Sequence, residues 1–513
     1  MVLVGGPRSI FIPDLPKSRG GRWRLRGLRL VHTHLQSEPL TQDDLMDLVF
    51  LRLDCVAAVY VDEHGGATQF ETAHILPGGG DGGGHGWEIL PPIPCYEPDL
   101  DFRALVKSLE DELERNRLAT PAPGQGGDRA ILVSISSQDR VTAQRSMDEL
   151  VELARTGGII AADTIMQRQR EKNPKYLIGK GKLSEIVLRA LQCGVDLLIF
   201  DQELNPSQVR AITDTTELRV VDRTQLILDI FAQRAQSREG KIQVEMAQLK
   251  YLLPRLGVKD DALSRLTGGI GTRGPGETTL EINRRRTKDR IASLEDDLQK
   301  LRKQREQRRA KRTRKEMPTI SIVGYTNAGK STLLNTLTHS SVFVENKLFA
   351  TLDPTSRRLR FPRDFEVIIT DTVGFIRDLP KDLVDSFAAT LEELQDADLL
   401  LHVIDISNPQ FEDQMAAVDR VLVKLEIDSK PTIIVFNKAD LMPLEFVERQ
   451  VRKHRGVAVS ALSSRTLDPL IAEMEKHVED LMKLEYKNLP PDPEPGAPDG
   501  GDASPSDSSL LAR

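Results

Sequence analysis

Apolar and polar positions fall into two periods along the middle of the chain. Residues 130–136, AILVSIS, read as a strand buried on both faces, and 144–156, QRSMDELVELART, as an amphipathic helix. Residues 157–167 (GGIIAADTIMQ) then read as a strand and 181–193 (GKLSEIVLRALQC) as a helix. Further strands are expected at VDLLIF, 195–200, and LRVVD, 218–222, with the helix NPSQVRAITDTT, 205–216, between them. Strands alternating with amphipathic helices predict a parallel sheet in an α/β unit of roughly 100 residues. Residues 223–256 then read as strongly helical up to Pro254, and 280–316 as one long helix. In that helix Ile291, Leu294, Leu298 and Leu301 recur at spacings of three, four and three, a narrow apolar stripe. Two long helices joined by a loop predict an antiparallel hairpin with a glycine-rich tip. Pro318 ends the second helix and opens a new unit. Upstream, Phe102, Leu105, Val106, Leu109 and Leu113 share one face of a helix over 102–118.

Composition changes this picture in three ways. A chain of 513 residues is too long for one core. No apolar run reaches the roughly 18 residues of a membrane span, and MVLVGGPRSIFIPDL lacks the charged start and apolar core of a secretory signal. Cys55, Cys95 and Cys193 are far apart and form no Cys-x-x-Cys pair, which argues against a disulfide framework or a cysteine zinc site and predicts a reducing, cytoplasmic setting. The net charge of −7 argues against nucleic acid as a partner, but it is an average. Between Arg284 and Lys315 there are 15 Lys or Arg against 5 Asp or Glu. The compensating acid lies in the first 120 residues and in the tail from Pro490, whose Pro, Gly, Ser and Asp predict disorder. ATPAPGQGGD, 119–128, is a soft boundary, and PGGGDGGGHG, 77–86, reads as a flexible loop.

Chemistry enters at TISIVGYTNAGKSTLLNTL: an apolar strand, then Gly324-x-x-x-x-Gly329-Lys330-Ser331, then a helix. Glycines let backbone N–H groups wrap phosphates, Lys330 reaches the β and γ oxygens, and Ser331 ligates magnesium. VIITDTVG ends a strand with Asp371, placed to hold magnesium through water, and Gly374 follows to sense the γ-phosphate. TIIVFNKAD ends another with Asn437, Lys438 and Asp440, whose carboxylate accepts from guanine N1 and N2. Adenine has no donor at N1, so it would leave a buried charge partly unpaired, at a cost on the order of 3 kcal/mol. VAVSAL offers Ser460 and Ala461 to guanine O6, and LFATLDPT offers Thr351 as the switch threonine on magnesium and γ-phosphate, with Thr355 as its competitor. The expected catalytic set is Lys330, Thr351 and Gly374, and the expected Mg2+ set is Ser331, Thr351 and Asp371. Nucleotide contacts extend to Tyr325, Thr326, Asn327, Ala328, Thr332, Phe349, Ala350, Thr372, Val373 and Leu462. The order and spacing are those of a Ras-like P-loop GTPase. Phe375 stands where many GTPases carry a glutamine that orients water, so unaided turnover should be slow.

Asn327 resembles the asparagine with which TrmE–Era GTPases help hold a potassium ion; a local cap of the loop is the alternative. Beyond the nucleotide motifs, PKYLIGKGKLSEI, FDQELNPSQVR, VDRTQLILDIFAQRA, EGKIQVEMAQLKYLLPRL and GGIGTRGPGETTLEINRRRTKDRI resemble segments of the HflX family in their usual order. The resemblance runs from about Ala130 to about Leu481, with Thr279 where many members have glutamine. It implies a cytoplasmic GTPase that binds GTP and GDP, sits on the large ribosomal subunit and its rRNA, and separates stalled or stress-inactivated ribosomes. It also implies that the glycine-rich tip, with Arg273, approaches the peptidyl-transferase RNA, a role that a loop without side-chain bulk suits. The expected partition is an N-terminal extension over 1–125, an α/β domain over 126–222, the helical hairpin over 223–316, the GTPase domain over 317–485 and a disordered tail over 486–513. Two other classes compete: a GTP-switched protein-binding module, and a ribosome-assembly or tRNA-modification GTPase. In the extension, His32 and His34 lie near Asp43 and Asp44; His-x-His can begin a metal site, but with no further His or Cys nearby a structural or exposed role is favoured.

Overall fold

The computed structural model describes residues 25–35, 38–76, 86–96, 101–118, 128–169, 173–256, 279–312, 317–338, 348–349, 355–361, 366–377 and 394–488. Three sheets follow one another along the chain. The first is built from β1 (Arg29–His34), β2 (Cys55–Val61), β3 (Ala67–Ile75) and β4 (Trp87–Pro94) in that spatial order, with α1 (Gln42–Phe50) crossing between the parallel pair β1 and β2. β4 carries Pro91, Pro92 and Pro94 and lies at the sheet edge, where a missing N–H breaks no ladder. Helix α2 (Phe102–Leu118) supplies Leu109 and Leu113 to the core beneath this sheet.

The second sheet has the order β6-β5-β7-β8 and is parallel throughout: β5 (Arg129–Ser136), β6 (Ile160–Arg168), β7 (Leu197–Phe200) and β8 (Arg219–Asp222). Its connections are α3 (Arg140–Thr156), α4 (Lys180–Cys193) and α5 (Pro206–Thr216), started by Asp139, Gly179 and the Asn205–Gln208 capping box. The strand–helix alternation of the sequence is thus realised element by element. The first sheet is not a separate body, since Val187, Leu188 and Leu191 of α4 belong to its core. Gln192 Nε2 also donates to Leu76 O at 3.1 Å, and Arg52 Nη2 to Thr216 O at 3.2 Å.

Where one helix is expected over 223–256 there are two, α6 (Arg223–Arg234) and α7 (Arg238–Leu252). Ser237 causes the break: its backbone is extended and its side chain accepts from Gly240 N, which starts α7 anew. The long helix α8 (Thr279–Arg312) packs its stripe of Ile291, Leu294 and Leu298 against Ile242 and Met246 of α7. The ion pairs between them are Glu245–Arg290 at 2.8 Å and Lys250–Glu295 at 2.9 Å. Both partners advance together, so the two helices run in the same direction; antiparallel helices would have carried the second pair far apart. The expected antiparallel hairpin is therefore corrected. Its glycine-rich tip, 267–278, and the loop of 77–85 lie outside the described residues, as does the tail from 489.

The third sheet has the order β10-β11-β9-β12-β13-β14. Its strands are β9 (Thr319–Gly324), β10 (Thr355–Arg360), β11 (Glu366–Asp371), β12 (Leu399–Asp405), β13 (Thr432–Asn437) and β14 (Val457–Ala458). Only β10 is antiparallel. Helices α9 (Lys330–Thr338), α10 (Phe411–Lys424), α11 (Leu444–His454) and α12 (Asp468–Asn488) complete it. The carboxyl ends of β9, β11, β12 and β13 converge on one crevice, where open α/β sheets bind ligands. No helix among the described residues is long and apolar enough to cross a membrane.

Candidate functional site

The phosphate loop leaves the buried strand β9 at Gly324, whose φ is +152°. A Cβ there would lie 2.2 Å from Val403 O. Gly329 (φ +92°) has the same constraint, with Asn437 Nδ2 2.2 Å from where a Cβ would stand. Asn327 adopts φ +62°, a left-handed conformation that asparagine tolerates. Lys330 opens α9, where the helix N-terminus favours anions, and its Nζ donates to Tyr325 O at 2.9 Å. Burial pushes the Lys330 ammonium down to about 8, with Asp371 acting in the opposite sense.

Ser331 Oγ donates to Asp371 Oδ2 at 2.6 Å, and Asp371 is buried at the end of β11. A hydroxyl and a buried carboxylate side by side form the hard-oxygen donor set that suits Mg2+. The segment after Asp371 is zipped to the phosphate loop: Thr326 N donates to Phe375 O at 2.8 Å and Phe375 N to Gly324 O at 3.1 Å. A Cβ on Gly374 would meet Thr326 Cγ2 at 2.8 Å and Lys330 Nζ at 2.9 Å, so only glycine lets this backbone approach. Thr372 is spent on structure, donating from Oγ1 to Ile322 O, and Val373 and Phe375 are buried.

On the base side, Asn437 ties three loops together. Its Nδ2 donates to Ala328 O and its Oδ1 accepts from Ala461 N, each at 2.8 Å. A contact from Ala461 N to guanine O6 shares or replaces that bond. Lys438 has a left-handed backbone, and its Nζ donates to Asp405 Oδ2 at 2.6 Å and Asn327 O at 3.1 Å. Asp440 stands exposed on the short turn 439–441, Ser460 is buried with its N–H on Thr466 Oγ1, and Leu462 is exposed. Thr332 lies in α9 and Ala328 is buried.

Ala350 and Thr351 lie outside the described residues. Their competitor Thr355 is the first residue of β10, opposite Asp371 in the ladder. Phe349, expected at the nucleotide, is instead buried with its ring edge-on to Phe231 of α6, centroids 4.6 Å apart. Its hydrophobicity is spent between sheets two and three.

That junction carries what the sequence reading missed. Tyr325, within the phosphate loop, turns its hydroxyl onto Glu149 of α3 and accepts from Arg377 N at 2.8 Å. Glu149 pairs with Arg223 at 3.1 Å, and Arg223 pairs with Asp201 at 2.9 Å. Asp201 also accepts from Ser134 Oγ and Ser146 Oγ. Burial by itself would lower the Arg223 pKa, but Glu149 and Asp201 outweigh it and raise the value. One apolar cluster spans the same junction, from Leu150, Ile227 and Phe231 to Val323, Phe349 and Phe375. The only sequence signal was chemical, a tyrosine where a phosphate loop needs no aromatic.

Comparison with known proteins places these features together. Family profiles described as GTP-binding GTPase N-terminal, GTP-binding GTPase Middle Region and 50S ribosome-binding GTPase match residues 144–232, 234–312 and 319–438. The chain is 48% identical over 351 residues to GTPase HflX of Caldanaerobacter subterraneus, covering 68% of this chain and 81% of that one. It is 42% identical to GTPase HflX of Escherichia coli, covering 71% and 86%. A crystal structure of a GTP-binding protein from Sulfolobus solfataricus with GDP is 24% identical, covers 69% of this chain and 99% of its own, and has a TM-score of 0.37.

Proposed function

The chain belongs to the HflX family of GTPases, and on that premise we propose that its GTP form binds the large ribosomal subunit and separates stalled or stress-inactivated ribosomes. The protein is a GTP-binding GTP hydrolase. Magnesium accompanies the nucleotide in P-loop GTPases; Ser331 and Asp371 would hold it here, where it would neutralise phosphate charge. The chain's own groups do the rest. Backbone N–H groups of the loop and Lys330 grip the phosphates, and Gly374 admits a γ-phosphate against its amide. Phe375, locked in the apolar junction, contributes packing and cannot orient water, so turnover depends on help from a partner.

One observation supports the ribosomal partner most. Helix α8 commits its apolar stripe to α7 and leaves Arg284, Arg285, Arg286 and Lys288 exposed at its amino-terminal end, directly after the glycine-rich segment. A basic helix of this kind tracks RNA phosphates. The profile over 319–438, described as a 50S ribosome-binding GTPase, supports the same reading. The test is co-sedimentation with purified large subunits. The GTP-analogue form should pellet with them and the GDP form should not, with binding falling steeply as salt rises. Arg273→Ala should weaken binding by about 1.5–3 kcal/mol if that side chain meets RNA. Binding equal in both nucleotide forms would favour a constitutive assembly factor instead.

A further inference from the structure

The structure brings together a side-chain cluster that the GTPase function does not use. His32 and His34 stand two apart on β1 and so share a face, their rings stacked at a centroid distance of 4.7 Å. The chain then reaches α1, whose first turn presents Asp44 to both. His32 Nε2 is 3.5 Å from Asp44 Oδ1, and His34 Nε2 is 3.6 Å from Asp44 Oδ2. One ligand atom from each of the three residues lies within 4.8 Å of the other two.

We propose that His32, His34 and Asp44 form a divalent-cation site, best suited to Zn2+, with a fourth position open to water. Three features carry this. First, His34 Nδ1 lies 2.6 Å from Glu38 O, and a carbonyl can only accept, so Nδ1 holds the proton. With Nδ1 turned to that carbonyl, Nε2 is the ring nitrogen directed at the carboxylate, the position from which it would ligate a cation shared with Asp44. A ligating histidine that donates its other nitrogen to a backbone carbonyl is the usual outer support of a metal site. Second, His32 Nε2 is buried, has no hydrogen-bond partner among the described residues, and faces the other oxygen of the same carboxylate. Third, Asp44 is held in place: Oδ2 accepts from Thr41 N at 2.8 Å and Thr41 Oγ1 at 2.6 Å, which fixes the carboxylate beneath the two rings.

The dimensions admit zinc with a small side-chain adjustment. Bonds of about 2.0–2.1 Å at tetrahedral angles separate ligand atoms by roughly 3.3–3.4 Å, against 3.5 and 3.6 Å from the two rings to the two carboxylate oxygens and a spread of at most 4.8 Å over the three ligand atoms. Two imidazoles and one carboxylate are a borderline donor set that favours Zn2+ over Mg2+ or Ca2+. Asp43 and Asp47 on the same helix add negative potential. Three protein ligands plus water is the ligand count of zinc sites that keep a reactive position.

The test uses the full chain, stripped with chelator and titrated with Zn2+ against a chromogenic competitor. One equivalent should bind. His34→Ala and His32→Ala should weaken that binding beyond the roughly 10–100-fold cost of losing an outer partner, while GTP turnover stays at the parental rate. Asp44→Asn is a poorer probe because Asp44 also closes the cap of α1. X-ray absorption of the zinc-loaded wild-type chain avoids variants and should show a nitrogen and oxygen shell with the scattering pattern of two imidazoles. Failure to take up zinc, equal uptake by the histidine variants, or sulfur in the shell would each overturn the assignment.

Discussion

At the scale of single residues, the base-reading carboxylate and a buried histidine make the sharpest claims. Asp440→Asn should weaken GTP binding by about 3 kcal/mol, roughly two decades in Kd, and favour xanthosine triphosphate, whose O2 accepts where guanine donates. Equal GTP affinity in parent and variant would remove Asp440 from the base site. His402 lies buried in β12, and burial followed by the nearby Lys330 charge pulls its pKa down to about 4, against an ordinary 6.5. Between those values the unfolded chain binds a proton that the folded chain refuses. Stability should therefore fall as pH drops from about 6.5 toward 4, by up to about 3 kcal/mol from this group. Among the described residues, the acidic group paired with it is the exposed Asp419, 3.8 Å from His402 Nδ1. Urea unfolding at pH 7.5 and pH 5 should show a larger loss for the parent than for His402→Gln; equal losses would contradict it.

At the scale of elements, the junction between α3, α6 and the phosphate loop is the feature to break. Asp201 is buried and Glu149 half-buried beside Arg223. Arg223→Met leaves both carboxylates, one of them buried, without their cation and should cost about 3–5 kcal/mol. Tyr325→Phe removes one hydroxyl and should cost about 1–3 kcal/mol. Combined with Glu149→Gln, it should be clearly non-additive in denaturant unfolding, with a coupling of about 0.5–3 kcal/mol; simple additivity would mean the tyrosine and glutamate act independently. The contrast with what was legible in sequence is physical. β5 to β8 and their helices follow from local apolar period, and the phosphate loop from the fixed spacing of its glycines, lysine and serine in a short stretch of chain. The contact of Tyr325 with Glu149 spans 176 positions, and no periodicity encodes it. The burial of Phe349 was illegible for the same reason: its partner Phe231 lies far back in the chain, on α6. The direction of α8 against α7 depends on the connecting segment, which the apolar stripe alone leaves undetermined.

At the scale of the whole molecule, the nucleotide site, the parallel α/β sheet and the basic helix are mechanically continuous. The phosphate loop hydrogen-bonds Glu149 on α3, Arg223 opens α6, and α6 leads through the break at Ser237 into α7, which carries α8. Gly374 lies so close to Lys330 and Thr326 that a Cβ would collide with both, and Arg377, three residues on, donates to Tyr325. On the function proposed above, these packed contacts are the route by which RNA binding and the state of the nucleotide would be linked. On the same proposal, GTP binding rather than its hydrolysis makes the protein competent to part ribosomal subunits. Light scattering of intact ribosomes mixed with the protein tests this. GTP and a non-hydrolysable analogue should give the same initial fall in scattering, with GDP giving none. Splitting that requires hydrolysis, or scattering unchanged with every nucleotide, would contradict it.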